Sequence, residues 1–235
     1  SPGRVSTSGE RNSGRGGISW DLSLEDEGPA LSLLTPLLAK APFPKQKLSS
    51  PMPDASVTGR MVVDGTEIPV EGWRGMLGHN WGPRHGHRYA WAHCNTFDGE
   101  KGTVFEGVCA GLPIGGRRTP LLSSVTLRRH GRHYDLHDIT SVRRRRSDLG
   151  WYRWFFSVHE PPVRLEGVFQ ASREDVVGLY YDNPDGTMTY CLNSKLAHVR
   201  LFLFEDGLPD VTLASQSAAL EIGTADPHHG ARMMT

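Results

Sequence analysis

The sequence predicts an all-β protein of antiparallel strands, on three observations. Apolar residues recur with a period of two rather than 3.6; short β-branched and aromatic runs alternate with turn pairs; and no apolar stripe is long enough for the helices of an alternating βα fold. Counting the runs gives about nine or ten strands at the spacing of a sandwich or barrel. A closed barrel is attractive, because closure removes exposed sheet edges and can leave a cavity. Helix should be minor.

In chain order, residues 1–16 are rich in Ser, Gly and Arg, too polar to pack, and read as a flexible end. "ISWDLSLE" sets Ile18, Trp20, Leu22 and Leu24 on one face of a half-buried strand. Residues 28–53 are proline-rich with a short apolar patch, and read as a crossing segment that covers something apolar, with one helical turn over 31–38. From residue 56 strand follows strand, with hairpin turns at Asp64-Gly65, at Asp98-Gly99, at Gly131 and at Asn183-Pro184-Asp185-Gly186. The organisation expected is a flexible segment over 1–16, a strand plus crossing segment over 17–55, a β-barrel over 56–225 and a flexible tail over 226–235.

Composition narrows the function classes. Lys plus Arg number 26 and Asp plus Glu number 26, so no overall field attracts nucleic acid or an anionic membrane. Nine arginines crowd residues 117–146, including "RRRR" at 143–146. They offer phosphate contacts, but Asp135 and Asp138 dilute the patch and no nucleic-acid motif accompanies it, so a charged strand edge protected from aggregation is favoured. Cys94, Cys109 and Cys191 have no CxxC spacing, which argues against a disulfide framework or a cysteine zinc site and fits a reducing cytoplasm. No run approaches the roughly 18 apolar residues of a membrane span. There is no GxSxG elbow, P-loop or GxGxxG after a strand, so nucleotide cofactors are not expected.

The unusual stretch is "GMLGHNWGPRHGHRYAWAHCNTF", residues 75–97, with four histidines and two tryptophans. His85-Gly-His87 resembles the HxH pair of cupins, but Ala90 and Trp91 stand where the following Glu would be, so metal binding is not favoured. In "GHNWG" the flanking glycines allow a sharp turn that presents His79 and Trp81; the competing reading is a tight turn whose Trp plugs a barrel end.

"GMLGHNWG", "RYAWAHCNTF" and "TVFEG" together resemble the C-terminal, lipocalin-like half of the AttH and carotenoid hydratase (hydroxyneurosporene synthase) group, which is similar to tocopherol cyclases and Diels-Alderases. "ISWDLSL", "SSPMPDASVTG" and "GLYYDNPDGTMTYCLNSKLA" extend the resemblance over most of residues 17–205. Two departures stand out: Gly78 replaces the acid that often precedes the His, and the chain has room for one full half and part of another, which makes 17–55 a candidate remnant of an upstream barrel.

The resemblance implies a lipocalin-like antiparallel β-barrel and a hydrophobic polyene, isoprenoid or polyketide-like ligand, converted without a redox cofactor by water addition or ring closure. Such chemistry needs a proton donor aimed at a double bond and π-faces for the developing cation. Glu106, between Phe105 and Val108 in a strand and matching the acid of the resembling hydratases, is the first candidate donor, with His79 the second; an outward-facing strand glutamate is the alternative. Candidates to line the ligand space are Asn80, Trp81, Tyr89, Trp91, His93 and Phe97, with core packing as the competing account of the aromatics. Tyr180, Tyr190, Asn193 and Ser194 offer hydrogen bonds at a barrel mouth. A pericyclic reaction would need no acid. The alternatives to an enzyme are a carrier of a hydrophobic small molecule, with polar groups turned away from its cavity, and a purely structural domain.

Overall fold

The computed structural model describes residues 3–13, 16–35, 40–41, 46–83, 85–86, 88–111, 113–114 and 117–234. The chain divides into two compact units, one of residues 1–31 with 49–79 and the other of residues 32–48 with 80–235.

The smaller unit is built on a four-stranded antiparallel sheet in sequence order: β1 (Gly3–Ser13), β2 (Gly16–Asp26), β3 (Lys47–Val63) and β4 (Thr66–Trp81). The stretch expected to be a flexible end is β1, paired along its whole length with β2 from Gly3 opposite Asp26 to Ser13 opposite Gly16. Strand pairing uses backbone groups, so a polar sequence joins a ladder once a neighbour is at hand. The Asp64-Gly65 turn is as expected: both residues have positive φ, 50° and 80°, the pair a two-residue hairpin of matching twist requires. Leu31 bridges Ser50, so the helical turn expected over 31–38 does not begin there; residues 36–39 lie outside the described ones.

The larger unit is a curled antiparallel sheet. Its strands are β5 (Arg88–Cys94), β6 (Val104–Ala110), β9 (Leu122–Arg129), β10 (Arg132–Leu136), β11 (Arg145–Leu149), β12 (Arg153–Glu160), β13 (Val163–Gln170), β14 (Val177–Asp182), β15 (Met188–Glu205), β16 (Val211–Thr224) and β17 (Arg232–Met233). Between β6 and β9 a separate two-stranded ribbon joins β7 (Pro113–Ile114) to β8 (Arg117–Arg118). The order is β10-β9-β6-β5-β16-β15-β13-β12-β11, with β14 on the far part of β15 and β17 beside β14. The sheet bends far enough for its two ends to meet through side chains: the Ser123 and Ser147 hydroxyls are hydrogen-bonded, and Arg145 Nη1 donates to the Ser123 carbonyl at 2.6 Å. The architecture is thus the antiparallel all-β fold the sequence predicts, with the sheet curled as a half-barrel, and among the described residues helix is minor, chiefly short 3-10 stretches such as Ile139–Arg144. The expected flexible tail holds one of these, Pro227–His229, and then β17.

The concave side is filled. "RWFFSV" sends Trp154, Phe156 and Val158 inward while Phe155 stays exposed, as period-two alternation requires. The rings of Phe105 and Phe156 stack at 5.5 Å, Phe105 and Phe169 meet at 5.2 Å, and Trp154 and Phe156 at 5.0 Å. Around them Leu127, Leu165, Leu201 and Leu213 are fully buried. These four aromatic rings occupy the space where the sequence suggested a hollow, because side chains from β12 and β13 meet Phe105 of β6 across the curl of the sheet.

Candidate functional site

Strand β5 decides which residues meet. Ala90 and Ala92 lie opposite Ile222 and Leu220 of β16 and opposite Cys109 and Gly107 of β6, and join the filled core. Tyr89, Trp91 and His93 therefore stand on the other face of the sheet. Three small residues alternating with three ring-bearing ones produce this division locally.

On that outer face a polar strip crosses several strands. Asp135 is opposite Thr126, Thr126 opposite Glu106, and Glu106 opposite His93. Thr126 Oγ1 donates to Asp135 Oδ1 at 2.5 Å. Trp91 Nε1 donates to Glu106 Oε1 at 2.9 Å, and the Trp91 and His93 rings lie 6.2 Å apart and nearly parallel, at 13°. Glu106 is only 1% exposed, which answers the inward-or-outward question in an unforeseen way: it is buried, but not in the core. The crossing segment reaches the same face nearby, where Ser124 Oγ donates to the buried Leu33 carbonyl at 2.6 Å.

Across Trp91 the strip continues to Glu221 of β16 and Asn193 of β15, each opposite the last. Tyr89 Oη donates to Glu221 Oε1 at 2.5 Å, and Asn193 Nδ2 to Glu221 Oε2 at 3.3 Å. Burial first and Glu221 second push the Tyr89 phenol well above its ordinary range; the same two causes push Cys191 up to about 12. Lys195 places its ammonium 5.5 Å from the centre of the Trp91 ring. The residue as a whole is exposed, yet desolvation of its ammonium end lowers its pKa, with Glu221 opposing.

Of the expected residues, Glu106, Tyr89, Trp91, His93 and Asn193 come together. Tyr180 and Tyr190 do not. They pair edge to face at 5.9 Å on the opposite side of the sheet, Tyr190 lying 5.0 Å from His229. His79, Asn80 and Trp81 are all exposed, Trp81 at 47%, so the inward orientation expected of His79 and Trp81 is not found. The reason lies in the backbone. "GHNW" continues β4 as extended strand, and neither Gly78 nor Gly82 adopts positive φ, so no sharp turn forms there.

Phe97 and Ser194 are buried, Phe97 in the core. His85 packs on Tyr181 at 4.2 Å, while its partner in the HxH pair, His87, lies outside the described residues. Within the arginine run, Arg145 is tied to Glu160 at 2.7 Å while Arg143, Arg144 and Arg146 are exposed. Sequence reasoning missed Glu221 and Lys195. Glu221 carried the same signal as Glu106, an acid between apolar strand residues, here Leu220 and Ile222; Lys195 carried none.

A curled antiparallel half-barrel with a buried carboxyl among indole, imidazole and phenol groups on its outer face defines an all-β, lipocalin-like class of protein. Residues 51–224 match the tocopherol cyclase-like family, and the chain belongs to that family. The chain is 26% identical over 198 residues to an uncharacterized protein of Mycobacterium tuberculosis, present in strains CDC 1551 and H37Rv, covering 79% of this chain and 56% of that protein. It thus spans just over half the length of these curated relatives.

Among solved structures it is similar to kievitone hydratase from Nectria haematococca, with a TM-score of 0.55 at 11% identity, covering 94% of this chain and 66% of that one. A putative AttH protein from Nitrosomonas europaea aligns with a TM-score of 0.46 at 14% identity, over 94% of this chain and 64% of that one. The matched family is the tocopherol cyclase-like one, to which the group resembled in the "GHNWG" region and its neighbours is similar.

Proposed function

We propose that the protein is a cofactor-independent cyclase or hydratase-like enzyme that protonates a double bond of a hydrophobic polyene, isoprenoid or polyketide-like substrate, leading to ring closure or water addition. The observation that carries this reading is the buried Glu106 carboxyl, held by the Trp91 indole and facing His93 across the β5–β6 ladder. A carboxylic acid donates the proton, and the indole face beside it stabilises the cation that results. Membership of a cyclase-like family and fold similarity to a hydratase support a reaction of this type. Exposed His79 is not assigned the proton. The filled barrel core removes the hollow expected for the enzyme as well as for the carrier, so the enzyme reading rests on the outer face, where a buried carboxyl meets an indole and an imidazole.

The test is turnover of a panel of polyenes by wild-type and Glu106→Gln protein. Loss of a positioned general acid lowers kcat by about 10²–10⁴-fold. Equal turnover by the two proteins overturns the assignment.

A further inference from the structure

The four arginines at 143–146 have three different fates in the fold. Arg145 is buried and tied to Glu160, to the Ser141 hydroxyl and to the Ser123 carbonyl. Arg146 is exposed on β11, the strand that ends the sheet, where a charge guards the edge as the sequence suggested. Arg143 and Arg144 fit neither role. They are exposed, they lie in the 3-10 stretch Ile139–Arg144 rather than on a strand, and among the described residues they make no ion pair or hydrogen bond.

Both border a cleft of about 570 Å³ walled by β10, by the 3-10 stretch and by the turn between β12 and β13. That volume falls in the range of small-molecule sites, roughly 300–1,000 Å³. The platform carrying the two arginines is pinned at both ends. Glu160 Oε1 accepts hydrogen bonds from the Asp138 amide at 2.9 Å, from the Ser141 hydroxyl at 2.9 Å and from Arg145 Nη2 at 2.7 Å. The other two acids of the cleft are also engaged within the fold, Asp138 by the Thr140 amide and hydroxyl and Asp135 by the Thr126 hydroxyl. The cleft's carboxylates thus spend lone pairs on their own neighbours, while two guanidinium forks and the exposed His133 ring on the β10 wall keep their donors for a ligand.

We propose that this cleft binds a phosphate monoester, clamped by Arg143 and Arg144 with His133 as a further donor. One guanidinium fork satisfies both oxygens of a carboxylate, whereas a phosphate monoester carries three terminal oxygens and close to two negative charges, enough for both forks at once. Asp135 and Asp138 keep the local field modest, so forked hydrogen bonds rather than bulk charge select the ligand. The same phosphate can come from a soluble ester or from a lipid headgroup. The assignment is independent of Glu106.

Isothermal titration calorimetry with glycerol phosphate, inorganic phosphate and acetate tests it on wild type, Arg143→Gln/Arg144→Gln, Arg143→Lys/Arg144→Lys and Arg146→Gln proteins, with thermal melts to establish folding. Both phosphates are expected to bind wild type, with acetate weaker by about tenfold or more. The double Gln variant should bind phosphate about tenfold or more weakly and the double Lys variant about threefold or more weakly, because Lys keeps the charge and loses the fork. Arg146→Gln should stay within about twofold of wild type, since surface charge beyond the cleft makes no direct bond. Sedimentation with phosphatidylcholine vesicles, with and without phosphatidic acid, distinguishes the sources. Co-sedimentation that needs phosphatidic acid and is lost in the double Gln variant supports the clamp on a lipid headgroup; calorimetric binding without co-sedimentation supports it on a soluble ester. No heat from wild type with either phosphate at about 10 mM overturns the proposal. Undiminished binding by the folded double Gln variant, acetate binding as tight as phosphate, or equal weakening in Arg146→Gln overturns it as well, the last by showing diffuse attraction to the arginine run.

Discussion

Trp91 Nε1 donates to Glu106 Oε1 at 2.9 Å from the neighbouring strand, on the sheet face turned away from the filled core. One indole thereby orients a carboxyl that is 1% exposed, while its own ring lies beside the His93 ring and the Lys195 ammonium. The arrangement is asymmetric. Packing holds the concave face of the half-barrel, whereas hydrogen bonds hold the outer one.

Trp91→Phe keeps a ring on β5 and removes the N–H. Withdrawing a donor from a buried carboxyl costs about 1–3 kcal/mol, and urea unfolding monitored by circular dichroism is expected to register that loss. Turnover on any polyene substrate should fall with it. A variant as stable as wild type would mean that the bond orients nothing.

Gly223→Ala acts on the other carboxyl through sterics alone. The new methyl group would lie 1.9 Å from Tyr89 Cε1, so the phenol must leave its place and its bond to Glu221 with it. Overpacking of this kind costs about 1–3 kcal/mol. A spectrophotometric titration should show the Tyr89 phenol, which burial and Glu221 hold high in the wild type, moving back towards the ordinary tyrosine range. An unchanged titration would show that the ring had not moved.

Glu100 supplies a test by pH. It accepts hydrogen bonds from Arg129 Nε and Nη2 at 3.0 and 2.7 Å, and these bonds hold its pKa below the usual carboxyl value. A carboxyl lowered in the folded state contributes stability that is complete above its unfolded pKa, near 4.5, and is lost as pH falls through the folded value. Glu100→Gln should therefore be less stable than wild type by about 0.5–1 kcal/mol at pH 7, and the gap should close below the usual carboxyl range. A gap independent of pH would assign the loss to packing instead.

The sequence by itself determined the strands and several of their turns, because both are local. Alternation in "ISWDLSL" and "RWFFSV", and the turn pair Asp64-Gly65, depend on residues a few positions apart. It also determined that Tyr89, Trp91 and His93 share a face, since that too follows from period two. Only the tertiary structure decided which face was which. Alternation divides a strand into two sides but does not say which one the core will cover, and here the alanines went inward and the rings outward. The partnership of Trp91 with Glu221, 130 positions along the chain, and of Tyr89 with the same carboxylate, arose from β16 pairing with β5. Strand order of that kind is set by how the whole sheet curls, and no window of sequence contains it. The same limit explains His79 and Trp81: glycines permit a turn, but the extended run of β4 left that freedom unused.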